Sequence, residues 1–228
     1  MKLPNASKAA ILIIIIVFII VFDQILKIWV KTNMYIGEDF SVFGNWFLIH
    51  FVENPGMAFG WELGGKTGKM ILSIFRLAAI GVFIWYITEL IKQKAPLGFV
   101  ICVGMVLAGA IGNMIDCAIY GLIFDSGTTY NPESGRYFSY PGVSQFSREG
   151  YAPFLHGCVV DMLSFPIIRG TYPEWFPYKA GDPFLFFRPV FNIADAAVTT
   201  GVFSILIFHW KYLKTVGRKN SEVSEVSE

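Results

Sequence analysis

Two aspartates stand where an acidic side chain needs a chemical explanation. Asp161 lies within the apolar stretch 158–163, and Asp195 follows Pro189 near the start of a long apolar run. Carboxylates are costly inside a membrane segment, where they usually serve a function. If the two share one low-dielectric site, like charge and desolvation leave one of them protonated. The ionised member could then take a proton from water while the protonated member polarises a carbonyl group.

Other polar side chains recur at helical spacing. Residues three or four apart lie on one face of a helix, so each such pair is expected to share a face. The pairs are Asp23 with Lys27, Asn113 with Asp116, and Asn192 with Asp195.

Histidine and cysteine offer no better chemistry. His50, His156 and His209 have no nucleophile at an evident spacing. The three cysteines, Cys102, Cys117 and Cys158, are scattered and fit neither a disulfide framework nor a zinc pattern. We therefore expect no metal and no cofactor.

The composition is that of a membrane protein. Of 228 residues 54% are hydrophobic and only 15% are charged, against about 25% charged in soluble domains. A net charge of +1 gives no indication of a nucleic-acid partner.

A membrane span needs about 20 apolar residues. The sequence predicts four such spans: 9–30, 69–91, 97–120 and 190–213. Pro189 is expected to open the fourth helix, so that Asp195 would lie about 9 Å along it.

Basic residues indicate the orientation of these spans. Lysines and arginines precede the first span, lie in the short 92–96 connection, and follow the fourth span. The positive-inside rule then places both termini in the cytoplasm and faces segments 31–68 and 121–189 outward. Residues 1–213 form one membrane domain in this interpretation, and 214–228 form a polar cytoplasmic tail.

The two outer segments differ in character. Residues 35–60 predict a small sheet or hairpin. Residues 125–151 are rich in Gly, Ser, Tyr and Pro, and 172–178 are aromatic. Because Tyr and Trp favour the headgroup layer, part of this second segment is expected on the membrane surface.

Five stretches together resemble the motifs of the lipoprotein signal peptidase (signal peptidase II) family, in family order. They are 23–27 (DQILK), 53–60 (ENPGMAFG), 112–116 (GNMID), 159–161 (VVD) and 191–195 (FNIAD). The resemblance implies four transmembrane helices with a small extracytoplasmic β-cradle formed by 35–60. It also implies an aspartyl endopeptidase of the bacterial cytoplasmic (inner) membrane, with its active site at the outer face. Such enzymes cut the signal peptide from prolipoproteins just before a diacylglyceryl-modified lipobox cysteine.

The resemblance also assigns roles to particular residues. Asp161 and Asp195 would be the catalytic dyad, and Asn54 and Gly56 would cradle the substrate or a globomycin-type inhibitor. The other site residues would have supporting roles. Asn113 and Asp116 would position the backbone and the dyad, and Asn192 would support Asp195. Asp23 and Lys27 would anchor the first helix to the outer segment.

The chain departs from the family pattern in three places. Cys117 stands where the family usually has an arginine, and Arg76 in the second span is a possible substitute. The connections from Asp116 to Asp161 and from Asp161 to Asp195 are both extended, and could form a lid, a recognition surface or an inert elaboration.

A proton-coupled transporter or channel subunit is the alternative function, because intramembrane acids commonly mark proton paths. A scaffold in which the acids only join helices is a third. Neither broken helices nor a half-to-half repeat supports a transport site at the midplane.

Overall fold

Long helices alternate with short strands through the described residues 4–56, 65–186 and 188–214 of the computed structural model. The first half contains α1 (Asn5–Asn33), β1 (Asp39–Phe43), β2 (Phe47–Asn54), α2 (Gly65–Lys92) and α3 (Leu97–Ile115). A π-helical segment (Asp116–Tyr120) and α4 (Gly121–Ile123) continue α3. The outer part of the chain adds β3 (Thr129–Asn131), β4 (Arg136–Phe138), β5 (Val159–Ser164), β6 (Ile168–Thr171), β7 (Pro183–Phe186) and β8 (Val190–Phe191), and α5 (Ile193–Phe208) follows. The polar tail beyond residue 214 lies outside the described residues.

Among the residues that the structure describes, three helices are long and apolar enough to cross a membrane: Asn5–Asn33, Thr67–Lys92 and Leu97–Ile123. They coincide with the first three predicted spans. The fourth predicted span contains α5, which has 16 residues, fewer than the about 20 that a bilayer core needs. Helical hydrogen bonds continue beyond it, from His209 N to the Ile205 carbonyl and from Leu213 N to the His209 carbonyl. The count of four spans stays a prediction.

The expected start of the fourth helix at Pro189 is wrong. Val190 and Phe191 form β8, which pairs antiparallel with Ser164 and Leu163 of β5, and α5 begins at Ile193. The strand pairing satisfies the backbone groups that a helix would otherwise use. Asp195 consequently lies in the first turn of α5, where a carboxylate interacts favourably with the helix dipole.

A four-stranded antiparallel sheet carries Asp161. Its order is β1-β2-β5-β8. The expected hairpin within 35–60 is the β1–β2 hairpin, although residues 57–60 lie outside the described residues. In the next pairing Val52 lies opposite Asp161 and Asn54 opposite Val159. Every residue of β5 is buried, which explains its almost continuous apolar sequence and makes its one carboxylate conspicuous.

The chain divides into two compact units, and the sheet belongs to the unit of residues 22–76 and 112–193. Its core contains side chains from α1, the sheet and the end of α3. Val30, Phe51, Phe124, Val160 and Met162 are fully buried there, and Tyr120 is almost so. Asp161, the functional residue predicted in β5, therefore lies between two residues of this apolar core, Val160 and Met162.

The helical unit contains the described residues 4–21, 77–111 and 194–214. Leu12, Leu90, Phe99 and Val100 are buried in its core. Two glycines of α3 allow close helix packing. A Cβ atom at Gly104 would collide with the Leu12 side chain, and one at Gly109 with the carbonyl oxygen of Ala194. Small residues at these two positions therefore let the helix backbones approach closely.

Two hairpins elaborate the second outer segment. One pairs β3 with β4, and the other pairs β6 with β7. The turn of the second hairpin carries the aromatic run 172–178. Tyr172 stacks on Phe176 with ring centroids 4.8 Å apart, whereas Trp175 is 79% exposed and Tyr178 is fully exposed. The exposed rings suit the predicted membrane-surface location.

Candidate active site

Asp161 is a buried carboxylate at the middle of a strand. Only 7% of its surface is exposed. The side-chain amide of Asn192 donates a hydrogen bond to Asp161 Oδ1 at 2.7 Å, and a second contact from the same amide reaches the Val160 carbonyl at 3.3 Å. An amide donor stabilises a carboxylate that burial would otherwise disfavour. Asn192 was expected to support Asp195, so the contact with Asp161 is an addition to its predicted role.

Lys27 is the centre of a buried ion cluster. Its ammonium lies 2.8 Å from Asp23 Oδ2 and 2.7 Å from Asp116 Oδ2, and all three side chains are fully buried. It also donates to Asn113 Oδ1 at 2.9 Å. One cation between two carboxylates is stable in a dry interior only when the remaining polar atoms are also satisfied.

Gln24, which the helical spacing of the charged residues did not indicate, completes that cluster. Its amide nitrogen donates to Asp116 Oδ1 at 2.9 Å, and its oxygen accepts from the Tyr120 hydroxyl at 3.1 Å. The cluster also reaches the sheet, because the Val160 N–H donates to Asp116 Oδ2 at 3.4 Å. Gln24 lies within the stretch 23–27, one of the five that resemble the family's motifs, and this position could have identified it.

One hydrogen-bond chain therefore joins most of the predicted site residues. Asn113 Oδ1 accepts from Lys27 and, at 3.0 Å, from the Asn192 amide, which in turn contacts Asp161. α1, the end of α3 and the residue after β8 thus converge on the centre of β5. Asp195, by contrast, is half-buried in the helical unit.

The anchoring of α1 to the outer segment by Asp23 and Lys27 stays a prediction. Lys27 joins α1 to the end of α3, and Asp116 of the same cluster accepts from the Val160 N–H of β5. The link to the outer segments is made one turn later by Lys31, which forms a buried ion pair with Glu53 of β2. Lys31 also donates to the Ser126 carbonyl at 2.9 Å, and Glu53 accepts from the Thr128 N–H at 2.6 Å. Lys31 lies four residues beyond Lys27, and this spacing on the same helix face could have identified it.

Asn54 and Gly56 shape the end of β2. The Asn54 side-chain oxygen accepts from the Gly56 N–H at 2.9 Å, a local turn that asparagine favours. Gly56 has φ of 106°, a conformation that other residues rarely adopt. Because Asn54 pairs with Val159, this turn lies two positions along the sheet from the pairing of Asp161.

Arg76 lies beside Cys117, the residue at which the sequence suggested that Arg76 could substitute for the family's arginine. Its Nη1 donates to Cys117 Sγ at 3.2 Å. Asp116 does not depend on it, since Lys27 and Gln24 from α1 supply the partners of that carboxylate. Cys117 lies in the π-helical segment Asp116–Tyr120, a rare geometry that often marks functional sites. Gly157 packs against it, donating from its N–H to the Cys117 carbonyl at 2.9 Å.

The described residues contain no group of three or more His, Cys, Asp or Glu side chains able to hold a metal ion.

Comparison with known proteins places this arrangement in a family. The model of the signal peptidase II family (Peptidase_A8) matches residues 15–211. A lipoprotein signal peptidase of Porphyromonas gingivalis is 42% identical over 209 residues, which are 90% of this chain and 84% of that protein. One of Amoebophilus asiaticus is 34% identical over 191 residues, covering 82% of this chain and 72% of that protein.

A solved structure of a bacterial membrane enzyme, determined by the in meso method at 2.3 Å resolution, is similar in fold. Its TM-score is 0.53 at 27% identity, and the match covers 89% of this chain and 88% of that one. The resemblance drawn from the five motifs is thus confirmed, and the chain belongs to the signal peptidase II family of peptidases.

Proposed function

We propose that this peptidase removes signal peptides from diacylglyceryl-modified prolipoproteins, cutting just before the lipidated cysteine with Asp161 and Asp195 as its dyad. The observation that carries the assignment is the contact of Asn192 with Asp161, at 2.7 Å. Asn192 immediately precedes α5, and Asp195 follows it by three residues. Asn192, which contacts the Asp161 carboxylate, therefore lies directly before the helix that carries Asp195.

The different surroundings of the two acids support a division of labour. Asp161 is buried on a strand, while Asp195 is half-buried in the first turn of a helix. In this mechanism the pair holds one proton. The ionised carboxylate takes a proton from water as the water oxygen attacks the scissile carbonyl carbon, and the protonated carboxyl donates to the carbonyl oxygen. Collapse of the tetrahedral intermediate then returns a proton to the leaving amide nitrogen.

The same proposal includes the surroundings of the dyad. The β1–β2 hairpin with the Asn54–Gly56 turn would be the cradle for substrate or for a globomycin-type inhibitor. The proposal also states that the chain crosses the bacterial inner membrane four times, with both termini in the cytoplasm and the active site facing outward. Three long apolar helices and the distribution of lysines and arginines support this orientation.

Replacing either aspartate tests the dyad. Asp161→Asn and Asp195→Asn keep the size of each side chain but remove its ability to hold or release the shared proton. Each should lower cleavage of a lipidated prolipoprotein by about a thousandfold or more, measured by gel shift, with membrane insertion unchanged. Asp182→Asn, at an exposed position of the outer segment, is the matched control and should cleave normally.

Near-wild-type cleavage by either dyad variant would show that the assignment is wrong. The lipid is tested separately with a precursor that lacks the diacylglyceryl group. We expect cleavage of the lipidated form only, and equal turnover of both forms would contradict the proposed substrate class.

A further inference from the structure

A cavity of about 170 Å³ lies between the first turns of α2 and the second outer segment. It is smaller than the about 300–1,000 Å³ of pockets for drug-sized ligands. Its walls are mainly hydroxyl-bearing and aromatic, and one residue is cationic. The polar residues around it are Lys69, Thr128, Thr129, Tyr130, Tyr137, Tyr151 and His156.

Lys69 is a buried cation in the wall of this cavity. Only 8% of its surface is exposed. Its ammonium contacts Cys158 Sγ at 3.4 Å, and no carboxylate of the described residues forms an ion pair with it. The other buried lysines of the sheet unit differ in this respect, since Lys27 has Asp23 and Asp116 and Lys31 has Glu53. Buried charges are normally paired, because a charge that has lost its hydration without gaining a partner is strongly destabilised.

Cys158 does not neutralise Lys69. Burial raises the pKa of the Cys158 thiol to about 11, so the group is uncharged near neutral pH. Its sulfur also lies 3.2 Å from the Thr128 carbonyl, to which the S–H can donate. Lys69, which lines the cavity, therefore has no counterion among the described residues.

We infer that this cavity binds the phosphate group of a phospholipid headgroup, with Lys69 as the counterion. Lys69 lies in the first turn of the candidate span Thr67–Lys92, and the end of a span is where headgroups lie. Phosphate oxygens accept hydrogen bonds from ammonium and hydroxyl groups, and tyrosines such as Tyr130 and Tyr137 favour this layer. Free inorganic phosphate has the same recognition chemistry. The site is additional to the proposed peptidase dyad and does not depend on it.

Native mass spectrometry of the full-length protein in detergent tests this inference. Wild-type protein is titrated with dioleoylphosphatidylglycerol, and with dioleoylglycerol as the lipid that lacks phosphate. Only the phospholipid should bind at low concentration. Lys69→Met should weaken this binding about tenfold or more, since it removes a hydrogen bond between charged groups, whereas Lys69→Arg should retain most of it. Lys92→Met alters an exposed lysine of the same helix and should bind as the wild type does.

Tyr130→Phe provides a second variant, because it deletes one hydroxyl from an outer hairpin without disturbing a buried charge. It should weaken binding about two- to tenfold. Inorganic phosphate should compete with the phospholipid. Equal binding of both lipids by the wild type, or an unchanged affinity in Lys69→Met, would overturn the inference. Binding of inorganic phosphate without binding of the phospholipid would overturn the headgroup assignment. These readouts measure lipid binding, so their failure would leave the peptidase proposal intact.

Discussion

At the scale of single residues, the polar side chains beside the membrane are held by partners from other elements. Lys27 is shared by Asp23 and Asp116, and Asn113 connects Lys27 to Asn192. Removing one member of a buried ion cluster leaves an uncompensated charge, which typically costs about 3–5 kcal/mol. We propose that this cluster supports Asp161 through the contacts of Asn192 with Asn113 and with the Asp161 carboxylate.

Asn192 offers the clearest test of that support. Asn192→Ala removes the amide that donates to Asp161, a hydrogen bond to a charged group worth about 1.5–3 kcal/mol. We expect kcat to fall about ten- to hundredfold, with a smaller change in KM, in a cleavage assay on lipidated precursor. Asn131→Ala, at an exposed asparagine of the β3–β4 hairpin, is the control and should leave both constants unchanged. A variant whose KM rises while kcat is unchanged would show that Asn192 does not position the carboxylate.

At the scale of elements, α1 joins both the helices and the strands. Lys27 contacts the end of α3, and Lys31, one turn later, pairs with Glu53 of β2. Lys31 also lies over the rings of Phe124, Tyr140 and Tyr151 at about 5 Å from their centroids, a cation–π arrangement. The beginning of the extended outer segment is consequently packed against α1.

The contact between α2 and the π-helical segment leads to a prediction about Arg76. Because Arg76 contacts Cys117 at the family's arginine position, we expect Arg76→Leu to lose folding or cleavage activity. Adding Cys117→Arg should restore activity, since the double variant returns a guanidinium to the usual place. Thermal unfolding and the gel-shift assay measure the two effects. If Arg76→Leu folds and cleaves as the wild type does, Arg76 is not a substitute for the family arginine.

At the scale of the whole molecule, the predicted orientation makes a direct prediction for reporter fusions. Alkaline phosphatase inserted at the exposed turn glycine Gly142 should be active, because this enzyme folds outside the cytoplasm. The same enzyme fused after Glu228 should be inactive, and green fluorescent protein fused there should fluoresce. The reverse pattern, or phosphatase activity at both sites, would show that the span count or the orientation is wrong.

The local features and the family of this protein follow from its sequence alone. The apolar runs identified three long helices, and the five motifs identified the family. Each of these depends on neighbouring residues or on short spacings.

Only the tertiary structure decided which polar groups meet. Lys31 and Glu53 are 22 residues apart, and Asn192 and Asp161 are 31 apart, so helical or strand periodicity could not pair them. The same reason explains why α5 begins at Ile193 and not at Pro189. Val190 and Phe191 pair with a strand about 27 residues earlier, and this long-range pairing overrides the local preference of proline for a first helical turn.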